Sequence, residues 1–446
     1  YKDRHKGYAE AITSDLYKKP ERYVEFMTDK FGAAPPEFGY KDMVPLFNAE
    51  KWDPAAWAKL FKEAGATYVI PTAEHHDGFV LWDSKLTPWT AVKKGPMRDL
   101  IGDLGNAVRA EGMKYGVSYH RERHPGRFAT EQEVHGKPWD QIAEEIRRMP
   151  EAASLYGPFE YSDEFIADYV ARWKEIECQY QPDFMWLDDV PILRIGAGDP
   201  QVVKYEKAFQ TMIADYLNTA EGWGKEVYFN NKGKTENWPI GVGCREADNL
   251  QMETIGPRWQ NPATLGTSYA YMENEEINDL YKTPAELVRL LCDVVSKNGN
   301  LLRNIGPKAD GTIPKGIQTR LLAMGAWLKV NGEAIYGSKP WKTYGEHDGE
   351  LIENEEGVHY SSHSMIIHES EFRFTAKPGA VYITAFQLLE KTTLLKSFKG
   401  FDQKIQSVSL LGSDVSINGK VTPDGLQLSA KNAPFNLAAV YKVEIE

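Results

Sequence analysis

A chain of 446 residues and 50.5 kDa is long enough for two or three domains, and 42% hydrophobic with 26% charged residues is globular rather than disordered, collagenous or coiled-coil composition. A net charge of −12 without a basic stripe argues against a nucleic-acid partner, and no run of about 18 apolar residues encodes a membrane helix. Cys178, Cys244 and Cys292 are scattered without metal-type spacing, which excludes a disulfide scaffold and leaves one bridge open.

The chain opens on Tyr1, with neither an initiator Met nor a signal peptide, so the reading places its start downstream of a removed or unrecorded segment. From about residue 50 to 335, amphipathic helices alternate with short apolar strands. Asp53-Pro54 is an N-cap followed by Pro at the first helical position, and Trp57, Leu60, Phe61 and Ala64 share one face before Gly65. Thr67-Tyr68-Val69-Ile70 reads as a buried strand leading to Glu74-His75-His76-Asp77-Gly78-Phe79. A helix over Asp99–Glu111 precedes strand Tyr115–Tyr119, which ends in the polar stretch His120 to His124. The next helix carries Phe165, Tyr169, Trp173 and Ile176, and strand Phe184–Leu187 ends at Asp188-Asp189. Another helix, with Phe209, Met212, Ile213 and Tyr216, leads to strand Val227–Phe229 and Asn230-Asn231-Lys232. A long loop is expected to follow, and the last helix, with Leu287, Val288, Leu291 and Val294, leads to strand Leu301-Leu302.

Such alternation means a parallel sheet with helices on its faces. About 340 residues suit a (β/α)8-like TIM barrel better than an open sheet, and no phosphate-binding glycine motif opens a helix. Fewer than eight clean strands can be counted, so the first is expected upstream of residue 1 or missing. After about residue 340 the helical period gives way to alternating runs at Phe372–Phe374, Val381–Ile383, Val415–Ile417 and Leu426–Leu428. Asn418-Gly419 and Asp424-Gly425 signal hairpin turns. The expected organisation is α/β: a barrel over 1–340 and a C-terminal antiparallel β-sandwich over 341–446.

The polar clusters all fall at strand C-terminal ends, where a barrel builds its active site. His75-His76 suits three roles: bracing the rim, binding substrate hydroxyls, or ligating a metal with His120 and His124. The third lacks the His-x-His spacing of metallohydrolase barrels. A carboxylate just past the strand Phe184–Leu187 is costly unless hydrogen-bonded or functional, and strand geometry lets one of Asp188 and Asp189 face inward. Glycoside chemistry needs a second carboxylate, for which Glu246 and Glu253 in the long loop are nearly equivalent. Trp259 in that loop could stack on a sugar. The aromatic content of 12% suits either sugar binding or a ring-rich core.

Together these segments resemble the α-L-fucosidases of glycoside hydrolase family 29. The resemblance rests on Phe47–Asp53, Glu74–Trp82, Gly95–Leu100, Trp186–Asp188 and above all Asp293–Lys308. It implies Asp188 as nucleophile, Glu246 as the best match for the acid/base, His75 and His76 on fucose hydroxyls, and Trp186 against the sugar. Ser118 stands where a Tyr is common, next to Tyr119, and Lys232 where a sugar-binding Arg is usual; all three are expected at the substrate. Glu74 replaces a usual Lys, Arg303 a usual Leu, and the family's first-strand motif is absent. The implied activity is retaining, exo-acting release of terminal α-L-fucose from a fucosylated oligosaccharide or glycoconjugate, with no cofactor and no metal. The rivals are an α-L-galactosidase on the same scaffold, a sugar-binding pseudoenzyme and a metal-dependent amidohydrolase. The resemblance suggests a periplasmic, secreted or lysosomal setting; a homo-oligomer stays open.

Overall fold

Hydrophobic periodicity decides the element types, and the computed structural model describes residues 20–125, 127–128, 140–188, 200–232, 241–245, 258–347, 350–351 and 367–446. The chain forms two compact units, one of residues 1–62, 66–241 and 307–313, the other of residues 63–65, 242–306 and 314–446.

In the first unit, helix α1 (Pro54–Glu63) starts where Asp53 Oδ1 accepts the Ala56 amide at 3.0 Å. Its strand comes in two pieces, β1 (Tyr68–Val69) and β2 (Thr72–Glu74), both parallel to β3 (Lys114–Tyr119). Pro71, which has no amide hydrogen, separates the pieces, and its carbonyl still accepts from Ser118 N at 2.8 Å. Helix α2 (Leu100–Ala110) is capped by Asp99, and α3 (Asp163–Tyr180) by Ser162; α3 buries Phe165, Tyr169, Trp173 and Ile176. β4 (Phe184–Leu187) pairs in parallel with β3 and with β5 (Tyr228–Asn231), and α4 (Pro200–Gly222) runs between them in the chain.

The second unit holds parallel strands β6 (Val242–Cys244), β7 (Trp259–Thr264) and β8 (Gly299–Asn304). Helix α5 (Pro284–Ser296) begins with a Thr283/Glu286 capping box, and α6 (Lys315–Asn331) follows β8. Antiparallel strands β9 (Lys339–His347), β10 (Glu350–Leu351), β11 (Glu371–Lys377), β12 (Ala380–Ala385), β14 (Ile405–Leu410) and β17 (Ala439–Ile445) form one sheet, in the order β10-β9-β11-β12-β17-β14. A second sheet, β13-β16-β15, joins β13 (Thr393–Leu395), β16 (Gly425–Ser429) and β15 (Asn418–Thr422). Phe372, Phe374, Ile383, Leu395, Phe398, Leu426, Leu428 and Tyr441 share one core across both sheets.

The fold class is therefore the expected α/β one with antiparallel sheets after it. The differences are local. The stretch expected to be one long loop contains β6 and β7. Trp-Gln-Asn-Pro-Ala-Thr lacks a β-branched run and carries Pro262, so it does not look like a strand, yet it makes six register pairs with β8. Val415–Ile417 is not a strand, and Asn418-Gly419 lies inside β15 rather than in a turn. The β15–β16 turn falls at Pro423-Asp424, since Thr422 pairs with Gly425. Among the described residues the cysteines are unbridged.

Candidate active site

Asp188 follows directly on the last residue of β4. The Asn230 side chain on β5 accepts from Leu187 N at 2.6 Å and donates to Leu187 O at 2.8 Å, so the backbone just before Asp188 is held as if by another strand. Buried at 8% exposure, the Asp188 carboxylate is ringed by nitrogen. Lys232 Nζ forms an ion pair with Oδ1. Around Oδ2 lie His76 Nε2 at 3.4 Å, Arg123 Nε at 3.6 Å and His120 Nδ1 at 3.8 Å. Burial alone would raise this carboxyl, but the nitrogens hold it well below the usual carboxylate range.

The imidazoles are poor cations here. Burial pushes His76 down to about 4 and His120 well below its ordinary value. At neutral pH both face Asp188 uncharged, and the standing positive charge comes from Lys232 and Arg123. Proton placement follows from the partners. His76 Nδ1 lies 2.6 Å from His120 O, a carbonyl that can only accept, so Nδ1 carries a hydrogen, while Nε2 faces Asp188 Oδ2, which is an acceptor as well when ionised. His120 Nε2 pairs with Ser118 Oγ, while His120 Nδ1 has no hydrogen-bond partner among the described residues. His75 stacks on His120 at 4.8 Å and lies 4.2 Å from the His76 ring. Trp186 also stacks on His120, at 5.2 Å, with Lys232 Nζ 5.4 Å from the centre of the Trp186 ring.

A buried ion-pair network carries this rim. Arg121 Nη1 donates to Glu74 Oε1 at 2.7 Å, Arg172 Nη1 donates to the same oxygen at 3.2 Å, and Asp168 takes both guanidiniums. Glu74 thus ties β2, the His120–Arg123 turn and α3 into one block.

The structure brings together His75, His76, Ser118, Trp186, Asp188 and Lys232. Two expected contacts lie elsewhere. Tyr119 points to the helix side of β3, where its hydroxyl donates to Tyr169 O at 3.0 Å; alternation puts its neighbours Ser118 and His120 on the other face. Trp259 opens β7 in the second unit, buried against Ala263, Leu290 and Val294 with its indole N–H on Lys297 O, and so has no face left for a sugar. His124 also leaves the imidazole cluster: both of its nitrogens face carbonyls, His76 O and Gly157 O, each at 2.9 Å. Asp189, Glu246 and Glu253 lie outside the described residues.

Sequence reading passed over Arg123 and Glu122, one polar stretch in which nothing marked the side chains that turn inward. A Glu122 oxygen, an Asp188 oxygen and a His76 ring nitrogen all lie within 4.8 Å of one another, and all three residues are buried. His75, His76 and His120 form a second such group. Both groups have metal-ligand chemistry, but a dication there would meet the two cations already on Asp188. The arrangement suits a shielded, ionised carboxylate beside an aromatic wall and neutral imidazoles that exchange hydrogen bonds with hydroxyls.

The family model described as alpha-L-fucosidase matches residues 2–333. The chain is 31% identical over 334 residues to an alpha-L-fucosidase of Dictyostelium discoideum, covering 72% of this chain and 62% of that protein. It is 32% identical over 346 residues to the tissue alpha-L-fucosidase of Bos taurus, covering 74% and 64%. The match therefore spans less than two thirds of the length of these relatives. Among solved structures, a Thermotoga maritima alpha-fucosidase in complex with a mechanism-based inhibitor aligns at TM-score 0.73 and 29% identity over 98% of this chain and 88% of that one. A Bacteroides thetaiotaomicron GH29 alpha-L-fucosidase, trapped as a covalent intermediate with 2-fluoro-fucosyl fluoride, aligns at TM-score 0.69 and 18% identity over 100% and 90%, a likeness of fold.

Proposed function

The chain belongs to the α-L-fucosidase family, and we propose that it is a retaining exo-glycosidase that releases terminal α-L-fucose from glycans or glycoconjugates. The observation that carries this reading is Asp188: a buried carboxylate at the end of a parallel strand, kept ionised by Lys232 and Arg123, beside Trp186. In the first step an Asp188 oxygen bonds the anomeric carbon while the glycosidic oxygen departs with a proton. In the second, water adds to that carbon, gives up a proton, and Asp188 leaves as carboxylate. Glu246 is our candidate for the group that gives and takes that proton, with Glu253 as the alternative. A retaining geometry requires its carboxyl roughly 5–5.5 Å from that of Asp188.

The other residues have matching roles. His75, His76 and Ser118 contribute hydroxyl contacts, and Trp186 lies against the apolar face of the ring. Lys232 keeps the charge of the usual Arg but not its planar fork, so it acts on Asp188 more than on two sugar oxygens at once. We take residues 1–340 as the catalytic part and 341–446 as the appended sandwich. The test compares aryl α-L-fucoside with aryl α-L-galactoside, with the product anomer followed by NMR. Release of α-L-fucose as the first-formed anomer supports the reading. Preferred cleavage of the galactoside, or a first-formed β product, overturns it.

A further inference from the structure

We propose that Asn230 is a positioning residue for the nucleophile: its carboxamide clamps the backbone of Leu187 and so sets where the Asp188 carboxylate stands for attack. The inference rests on the reading of Asp188 as nucleophile. On one edge β4 stays paired with β3 as far as Leu187–Tyr119. On the other edge, among the described residues, its parallel pairing with β5 runs through Phe184–Tyr228 and Met185–Phe229 and goes no further. Asn230 on β5, buried at 1% exposure, continues that edge with its side chain. Its Oδ1 accepts from Leu187 N at 2.6 Å, and its Nδ2 donates to Leu187 O at 2.8 Å. The reverse orientation of the amide would set donor against donor and acceptor against acceptor, so the two partners fix it.

The clamp reaches Asp188 through peptide planarity. Leu187 O, Asp188 N and Asp188 Cα share one peptide plane, and Leu187 N lies in the plane before it. Holding that oxygen and that nitrogen together orients both planes, and hence both dihedrals of Leu187. Only Cβ then stands between a placed Cα and the carboxyl carbon of Asp188. A carboxamide suits this task because it presents a donor and an acceptor side by side, as a peptide group does. His75 and His76, which follow β2, and Ser118 on β3 lie outside the clamped planes. Attack and sugar binding therefore separate: loss of the clamp slows bond formation and leaves the sugar bound.

The experiment uses the full chain, with 2-fluoro-fucosyl fluoride as the probe of attack and free fucose as the probe of binding. Fluoride leaves without protonation, so the labelling rate at saturating reagent reports bond formation by Asp188. Protection by fucose reports ground-state affinity. Asn230→Ala should be labelled roughly a hundredfold more slowly, the scale set by an ångström of misplacement, with fucose affinity unchanged. Asn230→Asp keeps the acceptor for Leu187 N and carries the test if Asn230→Ala does not fold. Protonated, the introduced carboxyl still donates to Leu187 O; ionised, it sets two acceptors against each other. The labelling rate of Asn230→Asp should approach wild type at acid pH and fall as pH rises and that carboxyl ionises, over a range where wild type is flat. A wild-type labelling rate in Asn230→Ala, or a flat profile in Asn230→Asp, overturns the inference. Fucose affinity that falls in step with labelling also overturns it, because Asn230 would then support the site as a whole. Wild-type enzyme that takes no label at Asp188, by peptide mass spectrometry, overturns the reading of Asp188 and the inference with it.

Discussion

At the scale of single residues, the site turns on which charges stand at working pH. Asp188→Gly should keep the fold and lose several orders of magnitude in kcat, because it removes the oxygen that bonds the anomeric carbon. Azide should restore part of the rate by taking the vacated position, and an active Asp188→Gly would shift the role to another carboxylate. His76 makes a second prediction. Its folded value near 4 lies below the ordinary histidine value of 6.5, so the ring stays neutral down to about pH 4. Hydroxyl binding by His76 should be flat from about pH 5 to 8 and change only below that, where the ring protonates. An NMR titration of the His76 ring with a midpoint between 6 and 7 would contradict this. The two acidic residues differ in how legible they were. Asp188 announced itself by following an apolar strand, where a carboxylate is expensive. Glu122 did not, since His120-Arg121-Glu122-Arg123-His124 is polar throughout, and only the one-turn helix in it decides which side chains go inward.

At the scale of elements, the strands with apolar runs were readable and the others were not. β4 fell where expected because Phe-Met-Trp-Leu is an unbroken apolar run, whereas β7 was hidden by Asn261 and Pro262. Trp259 was misplaced for that reason: a Trp read into a loop looks like a sugar platform, and the same Trp opening a buried strand is core. The helix Asp140–Arg148 offers a prediction of its own. Burial raises its Glu145 carboxyl to about 7, against the pull of the Tyr156 hydroxyl 2.5 Å from Oε2, and that carboxylate also sits where a side chain at Gly39 would have to go. The folded state thus holds this proton more tightly than the unfolded chain. The resulting stability is complete below about pH 4.5, declines as pH rises toward 7, and is gone above it. The full effect is at most about 3 kcal/mol. Glu145→Gln, always neutral, should remove that decline and make the protein more stable than wild type at pH 8. Parallel thermal-denaturation curves for the two proteins between pH 5 and 8 would refute it.

At the scale of the whole molecule, periodicity located the change from helix–strand alternation to antiparallel strands near residue 340. It could not show which pieces pack as one body. Partners 80 residues apart leave no local trace, and Asp293 with Arg373 is such a pair. Asp293 on α5 is fully buried, meeting Lys297 Nζ at 2.8 Å and Arg373 Nε on β11 at 2.7 Å. Trp327 on α6 donates to Ala438 O at 2.9 Å, and Thr375 on β11 donates to Ala334 O at 2.8 Å. These contacts put α5, α6 and the antiparallel sheets into one compact unit, so a chain cut after Ser338 should fail to fold its last two helices. Point variants give a finer test. Burial alone would raise the Asp293 carboxyl, but Lys297 and Arg373 hold it below the usual range. Its stabilisation is therefore complete above about pH 4, the unfolded value, and is lost as pH falls through its lower folded value. Asp293→Asn leaves two buried cations facing each other and should cost roughly 3–5 kcal/mol. Arg373→Met leaves Asp293 still paired with Lys297 and should cost less. Urea unfolding at pH 7 ranks the two, and an Arg373→Met protein less stable than Asp293→Asn would show that the guanidinium, with its further bond to Glu371 at 2.7 Å, and not the shared carboxylate, is the centre of the joint.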